Sequence, residues 1–292
     1  MARQMSEVAA GAPADIRPNE DWWQRHGGLG WQKEVDARRS WQPHYAQQEA
    51  FLRNLFIGLP PVRALDFGCG YGRHLNYLRR IPGLEIHGCD MSPTMLEGAA
   101  AYLDDPEFVK ERVHRIQPRA RLPFPDGYFD VVFTSEVLIH VEAEDLKVLL
   151  RELWRVSSRM VFHIENRPVD RSQRENDEHS GCWLHDFRGA YRELFGLELD
   201  VMPDLIDRQC VYLAHRAEPA LVPAARLVAR DYRTMNRMEA ALKAERDQSH
   251  LHRTRVQQLE ETIAGHEAQE REAERSLTRR AVRRAERLLP HL

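Results

Sequence analysis

Short apolar runs alternate with amphipathic stretches between residues 59 and 216. The apolar runs predict strands, because a strand that is buried on both faces is a continuous apolar segment. The amphipathic stretches carry apolar residues three and four positions apart, which is typical of helices that pack on a sheet. The predicted strands are 62–67, 85–89, 129–135, 160–164, 197–202 and 209–215, and the predicted helices are 73–80, 93–103, 144–156 and 186–195.

This alternation predicts an α/β domain over residues 59–216, built on a mostly parallel sheet with helices on both faces. Too few residues join the last two strands for a crossover helix, so we expect a terminal antiparallel pair. Residues 22–58 are predicted to form a helical arm, with four tryptophans around the break at Gly27–Gly30. The arm either packs on the domain or acts as a lid over its site. Residues 1–21 are polar and rich in small residues, which predicts a flexible leader.

The hydrophobic period changes after residue 216. Positions seven apart are mostly apolar from Leu221 to Leu277, which predicts a coiled coil over residues 217–276 and a homo-oligomer. A solvated single helix or disorder is the alternative. Residues 277–292 combine five arginines with one glutamate and one apolar face. They predict a basic amphipathic helix that contacts an anionic membrane or an acidic partner, with a solvated helix end as the alternative.

Composition narrows the class of protein. The chain has 42 Lys+Arg against 45 Asp+Glu, a formal charge of −3, which disfavours a generally basic nucleic-acid binder. Its four cysteines lack CxxC spacing, so neither a zinc site nor a disulfide framework is expected. No apolar run has the length of a membrane span or a signal peptide. We therefore expect a cytoplasmic protein, with the inner face of the plasma membrane as a location that the basic tail allows.

Three motifs follow predicted strands or lead into one. The stretch Asp66–Gly72 (DFGCGYG) ends the first strand, and its glycines permit a tight turn and a close approach of a ligand to the backbone. Its spacing differs from the GxGxxG dinucleotide fingerprint, and no GK[ST] follows, which excludes a P-loop. Asp90 follows the next strand about 20 residues later, where a carboxylate accepts hydrogen bonds from ribose hydroxyls. The segment Leu122–Gly127 (LPFPDG) leads into the strand at 129–135.

In this order and spacing the motifs resemble class I S-adenosylmethionine-dependent methyltransferases, over about residues 55–216. The resemblance implies a Rossmann-like, seven-stranded sheet and S-adenosylmethionine as the cofactor. It assigns the methionine part of the cofactor to Asp66, Gly68 and Gly70, the ribose to Asp90 and the adenine to Met91. Cys69 and Ser135 complete the predicted cofactor-binding set. Relatives often place an acidic and a small residue where this chain has Gln117–Arg121, so the adenine contact stays open.

Methyl transfer to a hydroxyl requires aligned reactants and a proton acceptor. The predicted catalytic residues are His140, Glu136 and His185, from the loops that follow the strands at 129–135 and 160–164, and His163 and Glu165 are further candidates. Each of them has a structural role as its alternative. A metal site of Glu136, His140 and His179 would resemble that of the small-RNA 3′-end 2′-O-methyltransferases. However, Ile139 stands where that family has a second ligand, so no metal is predicted.

A methyltransferase domain followed by a coiled coil and a basic helix resembles bacterial enzymes of surface-polysaccharide synthesis, among them O-antigen chain-terminating methyltransferases. The leading hypothesis is therefore O-methylation of a sugar hydroxyl in a surface polysaccharide or its precursor. One alternative is a small-molecule or RNA methyltransferase with an oligomerising tail, in which the charge balance disfavours RNA. The other is a non-catalytic coiled-coil scaffold that retains a vestigial methyltransferase fold.

Overall fold

The computed structural model describes residues 18–25, 27–39, 41–166, 182–216 and 257–258. Its contacts divide the chain into two compact units, Met1–Arg233 and Thr234–Leu292. The predicted coiled coil and basic helix lie outside the described residues, apart from Gln257 and Gln258. No helix among the described residues is long and apolar enough to cross a membrane.

The elements of the first unit alternate as the apolar pattern predicts. Its described helices are α1 (Pro18–Arg25), α2 (Gly28–Arg38), α3 (His44–Ile57), α4 (Arg73–Leu78), α5 (Pro93–Leu103), α6 (Pro106–Arg112), α7 (Ala143–Val156) and α8 (Phe187–Phe195). Its strands are β1 (Val62–Phe67), β2 (Leu84–Asp90), β3 (Val113–Arg115), β4 (Phe129–Ser135), β5 (Ser157–Asn166), β6 (Asp200–Ile206) and β7 (Gln209–His215). A short 3-10 helix, Leu138–His140, follows β4.

The seven strands form one sheet in the order β3-β2-β1-β4-β5-β7-β6. Neighbouring strands from β3 to β5 are parallel, whereas β7 is antiparallel to both β5 and β6. This confirms the predicted mostly parallel sheet with a terminal hairpin. The strand order changes direction between β1 and β4, and the carboxyl ends of the strands at such a point border the usual ligand crevice of α/β folds.

Two predictions about the elements are wrong in detail. The strand predicted at 197–202 is instead Asp200–Ile206, and only residues 207 and 208 join it to β7. No element was expected over 106–115, which forms α6 and β3. Helix α6 begins after Asp105, whose carboxylate accepts the Phe108 amide at 3.1 Å, and none of its residues is buried. A helix without a buried stripe leaves no hydrophobic period in the sequence.

The core occupies both faces of the sheet. Val131 and Phe133 of β4 belong to the cluster on the α3 side, whereas Val132 belongs to the cluster that α7 covers. The Phe133 ring stacks on Phe162 of β5 at 5.3 Å between centroids, and Phe51 of α3 meets Phe162 edge-on at 6.4 Å. Successive residues of a strand point to opposite faces, so these continuous apolar strands require helices on both.

Helices α1, α2 and α3 form the arm, which begins at Pro18 and not at residue 22, so residues 18–21 of the predicted flexible leader are helical. The second helix of the arm packs on α5. Gly28 has a φ of 64° and lies against Gly98 of α5, where an added Cβ would stand 2.4 Å from the Gly28 Cα. The Gly28 amide also contacts the Met95 sulfur at 3.4 Å. Side chains at these glycines would separate the helices, so the arm is held to the domain by a close backbone contact.

Candidate active site

The glycine-rich turn connects β1 to α4 at the carboxyl edge of the sheet. Gly68 has a φ of 75°, and a Cβ there would meet the Val137 side chain at 2.5 Å. Gly70 has a φ of 54° and would meet only the Met95 sulfur, at 3.7 Å. Glycine is therefore required by packing at Gly68, whereas Gly70 leaves its backbone open to a ligand.

Asp66 brings a buried carboxyl to this turn. Its side chain is 1% exposed, and Oδ2 has no hydrogen-bond partner. Burial raises the pKa of this carboxyl to about 8, while the nearby charge of Arg73 partly offsets the increase. A buried acceptor without a donor is costly, so the position suits a ligand that carries a hydrogen-bond donor or a positive charge.

Asp90 joins the turn to the end of β2. One carboxylate oxygen accepts the Gly70 amide at 2.9 Å and the other accepts the Ser92 amide at 2.8 Å. Burial raises the pKa of Asp90, and these hydrogen bonds oppose the shift. Each carboxylate oxygen has a further lone pair, so both remain able to accept hydrogen bonds from a diol. Ser92 caps α5 and donates to the Trp23 carbonyl at 2.6 Å, which ties the arm to this edge.

The remaining predicted cofactor residues lie at the same edge. Cys69 is buried within the turn, and Met91 is half-buried against the cluster beneath the LPFPDG segment. Ser135 ends β4, beside the Gly68 turn, and its buried Oγ has no hydrogen-bond partner. The structure thus brings the predicted cofactor residues of β1, β2 and β4 together. Their binding roles stay predictions.

The segment 117–121, where the adenine contact was open, meets the arm instead of presenting a carboxylate. Arg119 has a φ of 57°. Its guanidinium lies 3.3 Å from Glu20 of α1 and 3.9 Å from Asp145 of α7. These ion pairs link the segment to α1 and α7.

Glu165 and His185 hold the turn that carries His140. Glu165 is fully buried at the end of β5, and its carboxylate accepts the amides of residues 137, 138 and 139 at 3.1–3.3 Å and the Thr134 hydroxyl at 2.8 Å. Burial raises its pKa to about 7 against these hydrogen bonds. The His185 Nε2 lies 2.9 and 3.0 Å from the carbonyls of residues 138 and 141. Both side chains are thereby occupied with backbone groups of the turn.

His163 is likewise occupied within the protein. Its Nδ1 lies 3.0 Å from the Thr134 hydroxyl and its Nε2 lies 2.8 Å from the Tyr191 hydroxyl. Burial lowers its pKa to about 3, so the ring is neutral at ordinary pH. His140, by contrast, lies next to the arm. Its ring meets Trp23 edge-on at 4.8 Å, and its carbonyl accepts a hydrogen bond from Asn19 at 3.2 Å.

The arm adds polar residues that the sequence analysis missed. His44, the first residue of α3, places Nε2 3.6 Å from Glu136 Oε1. Gln48, one turn later, donates to Glu136 Oε2 at 3.1 Å and to Gln209 Oε1 at 2.9 Å, and it accepts from Arg73 at 2.5 Å. No motif surrounds these residues, so the only available signal was the polar character of one face of an otherwise apolar helix.

Among the residues that the structure describes, no group of three or more His, Cys, Asp or Glu side chains could hold a metal ion. His179, the third member of the alternative metal site, lies outside the described residues.

Comparison with known proteins matches residues 65–160 to the methyltransferase domain family. This match supports S-adenosylmethionine as the cofactor. A malonyl-[acyl-carrier protein] O-methyltransferase from Halorhodospira halophila is 38% identical over 106 residues, 35% of this chain and 33% of that protein. A norajmaline N-methyltransferase from Rauvolfia serpentina is 29% identical over 98 residues, 34% of this chain and 33% of that protein.

The chain thus spans about a third of the length of these curated relatives. Among solved structures, the chain is similar to the magnesium protoporphyrin IX methyltransferase of Synechocystis PCC 6803 with bound S-adenosylhomocysteine. The two superpose with a TM-score of 0.49 at 16% sequence identity. That likeness covers 68% of this chain and 97% of the other.

Proposed function

We propose that the protein is an S-adenosylmethionine-dependent methyltransferase that methylates a hydroxyl group. The observation that carries this proposal is the unpartnered Asp66 Oδ2 beside an open glycine turn. A cofactor with a positively charged amino group satisfies that carboxylate. The match of residues 65–160 to the methyltransferase domain family supports the same cofactor.

The residues present fit the cofactor part by part. When bound, S-adenosylmethionine supplies a methyl group on a positively charged sulfur. Asp66 would hold the amino group, the open backbone at Gly70 would allow close approach of the methionine part, and Asp90 would accept hydrogen bonds from the ribose hydroxyls. Met91 would pack on the adenine. Because Asp90 also fixes the Gly70 amide, the ribose contact and the glycine turn depend on one carboxylate.

The acceptor is a further proposal, because the relatives do not share one acceptor. The names of the two relatives include one O-methyltransferase and one N-methyltransferase. We propose a sugar hydroxyl of a cell-surface polysaccharide or its precursor. Trp22 of α1 supports a sugar, since its indole is 40% exposed and packs edge-on against Trp23, which itself contacts His140. An exposed indole offers an apolar face and a polar tip, which suit the two faces of a sugar ring.

We propose that residues 217–292 determine the oligomeric state and the location of the enzyme. A coiled coil over 217–276 would join copies into a homo-oligomer, and the basic helix 277–292 would contact an anionic membrane or an acidic partner. A chain that ends at residue 216 should be monomeric in light scattering, while the full chain is an oligomer; equal masses contradict the coil. Deleting 277–292 should abolish flotation with anionic liposomes, and unchanged flotation contradicts membrane contact.

Calorimetric titration with S-adenosylhomocysteine tests the cofactor part. We expect wild type to bind and Asp90→Asn to bind much more weakly. Asp130→Asn is the matched control, because Asp130 accepts the Arg63 amide at 2.8 Å near the amino end of β4. Asp130→Asn should bind like wild type. A folded wild-type protein that does not bind would favour the scaffold alternative.

Transfer of a labelled methyl group tests the acceptor part. The probes are methyl glycosides and nucleotide sugars, with an amine and a short RNA as alternatives. Labelled sugar supports the proposal. Cofactor binding with transfer only to the amine or the RNA would refute the hydroxyl acceptor and leave the methyltransferase in place.

A further inference from the structure

His44 and Glu136 form a half-buried pair at the carboxyl edge of the sheet. The His44 Nε2 lies 3.6 Å from Glu136 Oε1, which is longer than a hydrogen bond. The His44 Nε2 is buried and has no hydrogen-bond partner. A buried imidazole nitrogen in this state gains from a polar group that bridges it to the carboxylate.

The carboxylate of this pair is held in place from both sides. Its second oxygen accepts a hydrogen bond from Gln48, which is fully buried and is itself fixed by Gln209 and Arg73. The Glu136 backbone has a φ of 57°, and its amide donates to the Ile164 carbonyl at 2.9 Å. A non-glycine residue with a left-handed backbone is strained, and such residues concentrate at functional sites.

Other unsatisfied polar atoms lie at the same edge. Among the described residues, five buried side-chain atoms lack a hydrogen-bond partner. Three of the five are His44 Nε2, Asp66 Oδ2 and Ser135 Oγ, and β1 and β4, which carry the last two, are neighbours in the sheet. Buried polar groups are nearly always paired, so this concentration points to polar ligands rather than to chance.

We propose that His44 and Glu136 bind the acceptor hydroxyl and that His44 Nε2 takes its proton. This inference rests on the proposed function. The acceptor O–H bond breaks and its proton passes to His44. The oxygen forms a bond to the methyl carbon, and the electron pair of the broken carbon–sulfur bond stays on sulfur. Glu136 stabilises the imidazolium until the proton passes to water.

The charges around His44 suit a proton acceptor. Burial lowers its pKa, as does the positive charge of Arg73 from α4 and that of Arg208 from the β6–β7 turn. Glu136 and Asp207 act in the opposite direction. A neutral ring accepts a proton at neutral pH, and the adjacent carboxylate stabilises the charge that develops.

The test compares His44→Gln and Glu136→Gln with His215→Gln. His215 is a matched control, because its Nε2 lies 3.7 Å from Asp200 Oδ2 and it pairs with Met160 near the start of β5, at the opposite edge. We expect His44→Gln to lower kcat by about 10²–10⁴, the usual contribution of a general base, with unchanged S-adenosylhomocysteine affinity. His215→Gln should behave like wild type. A wild-type rate in His44→Gln would overturn the proposal.

Titration of ¹³C-labelled histidine by NMR gives a readout without turnover. Glu136→Gln should lower the His44 pKa further, because the negative charge of Glu136, which raises this pKa, is gone. The acid limb of the rate profile should shift to lower pH by the same cause. An unchanged His44 pKa would overturn the pairing. If wild type binds S-adenosylhomocysteine but methylates no sugar probe, the proposed acceptor class fails. The NMR titration still tests whether His44 and Glu136 interact.

Discussion

Replacing Asp66 by Asn tests the electrostatics of the candidate site. The carboxyl is buried, its Oδ2 has no hydrogen-bond partner, and its pKa is raised to about 8. If it pairs with the amino group of the cofactor, binding has to ionise it, because only the carboxylate offsets a positive charge. Binding should therefore release the proton that the ligand-free protein holds.

The magnitude follows from the pKa of about 8. Roughly nine tenths of such an acid is protonated at pH 7, so binding of S-adenosylhomocysteine should release about one proton there. The apparent affinity should rise about tenfold per pH unit below pH 8 and level off above it. Asp66→Asn has no proton to release, so its binding should be weaker at pH 8 and independent of pH.

Calorimetric titration at pH 7 in phosphate and in Tris measures the released proton, because the two buffers take up protons with different heats. We expect the apparent enthalpies to differ between buffers for wild type and to agree for Asp66→Asn. Asp130→Asn, whose carboxyl lies near the opposite edge, should match wild type. Measurable wild-type binding with equal enthalpies in both buffers would refute the reasoning.

The same carboxyl affects the stability of the ligand-free protein. Because the pKa of Asp66 is raised in the folded state, protonation of this carboxyl stabilises the folded protein. This stabilisation is complete below the ordinary pKa of 3.8 and is lost as the pH rises through about 8. Wild type should therefore lose Tm between pH 6 and pH 9. Asp66→Asn should lose less, which thermal unfolding followed by circular dichroism will show.

Three further predictions concern the scaffold around the site. Glu165→Gln should destabilise the protein by about 1–3 kcal/mol in denaturant unfolding, since an amide donor would face the Ile139 amide; unchanged stability contradicts this. Gly98→Ala should expose the arm to proteolysis, because its Cβ meets the α2 backbone, whereas Gly30→Ala, with open space around it, should gain up to about 1 kcal/mol. His163 has a lowered pKa, so stability should fall as the pH drops from 6.5 towards 3, and His163→Phe should show a smaller fall in acid unfolding.

The alternation of apolar and amphipathic segments determined the fold. Strands predicted at 62–67, 129–135 and 209–215 coincide with β1, β4 and β7. The reason is local, since a buried strand must be apolar along its whole length and turn residues mark its end. Parallel strands then place their carboxyl ends at one edge, which is why the sequence alone groups Asp66, Asp90 and Ser135.

Where packing is weak, the sequence was less informative. Residues 106–115 form α6 and β3 although α6 buries none of its residues. Strand β3 has only three residues and forms because it pairs with β2. Such a contact between distant segments is not encoded in the local sequence. A hydrophobic period exists only where a face is buried, so peripheral elements of this kind are decided by the tertiary structure.

For the candidate catalytic residues, too, the sequence and the tertiary structure supplied different information. From the sequence, His140 and His185 were the predicted catalytic histidines and His163 was a further candidate. The structure separates them by their partners, because His163 and His185 are bonded within the protein, whereas His140 meets the arm. His44 carried no motif and reaches Glu136 only because α3 packs on the sheet. The sequence by itself determined the fold and the cofactor edge, because motif and strand are local. Only the tertiary structure decided which distant side chains meet there, because that depends on how the arm packs.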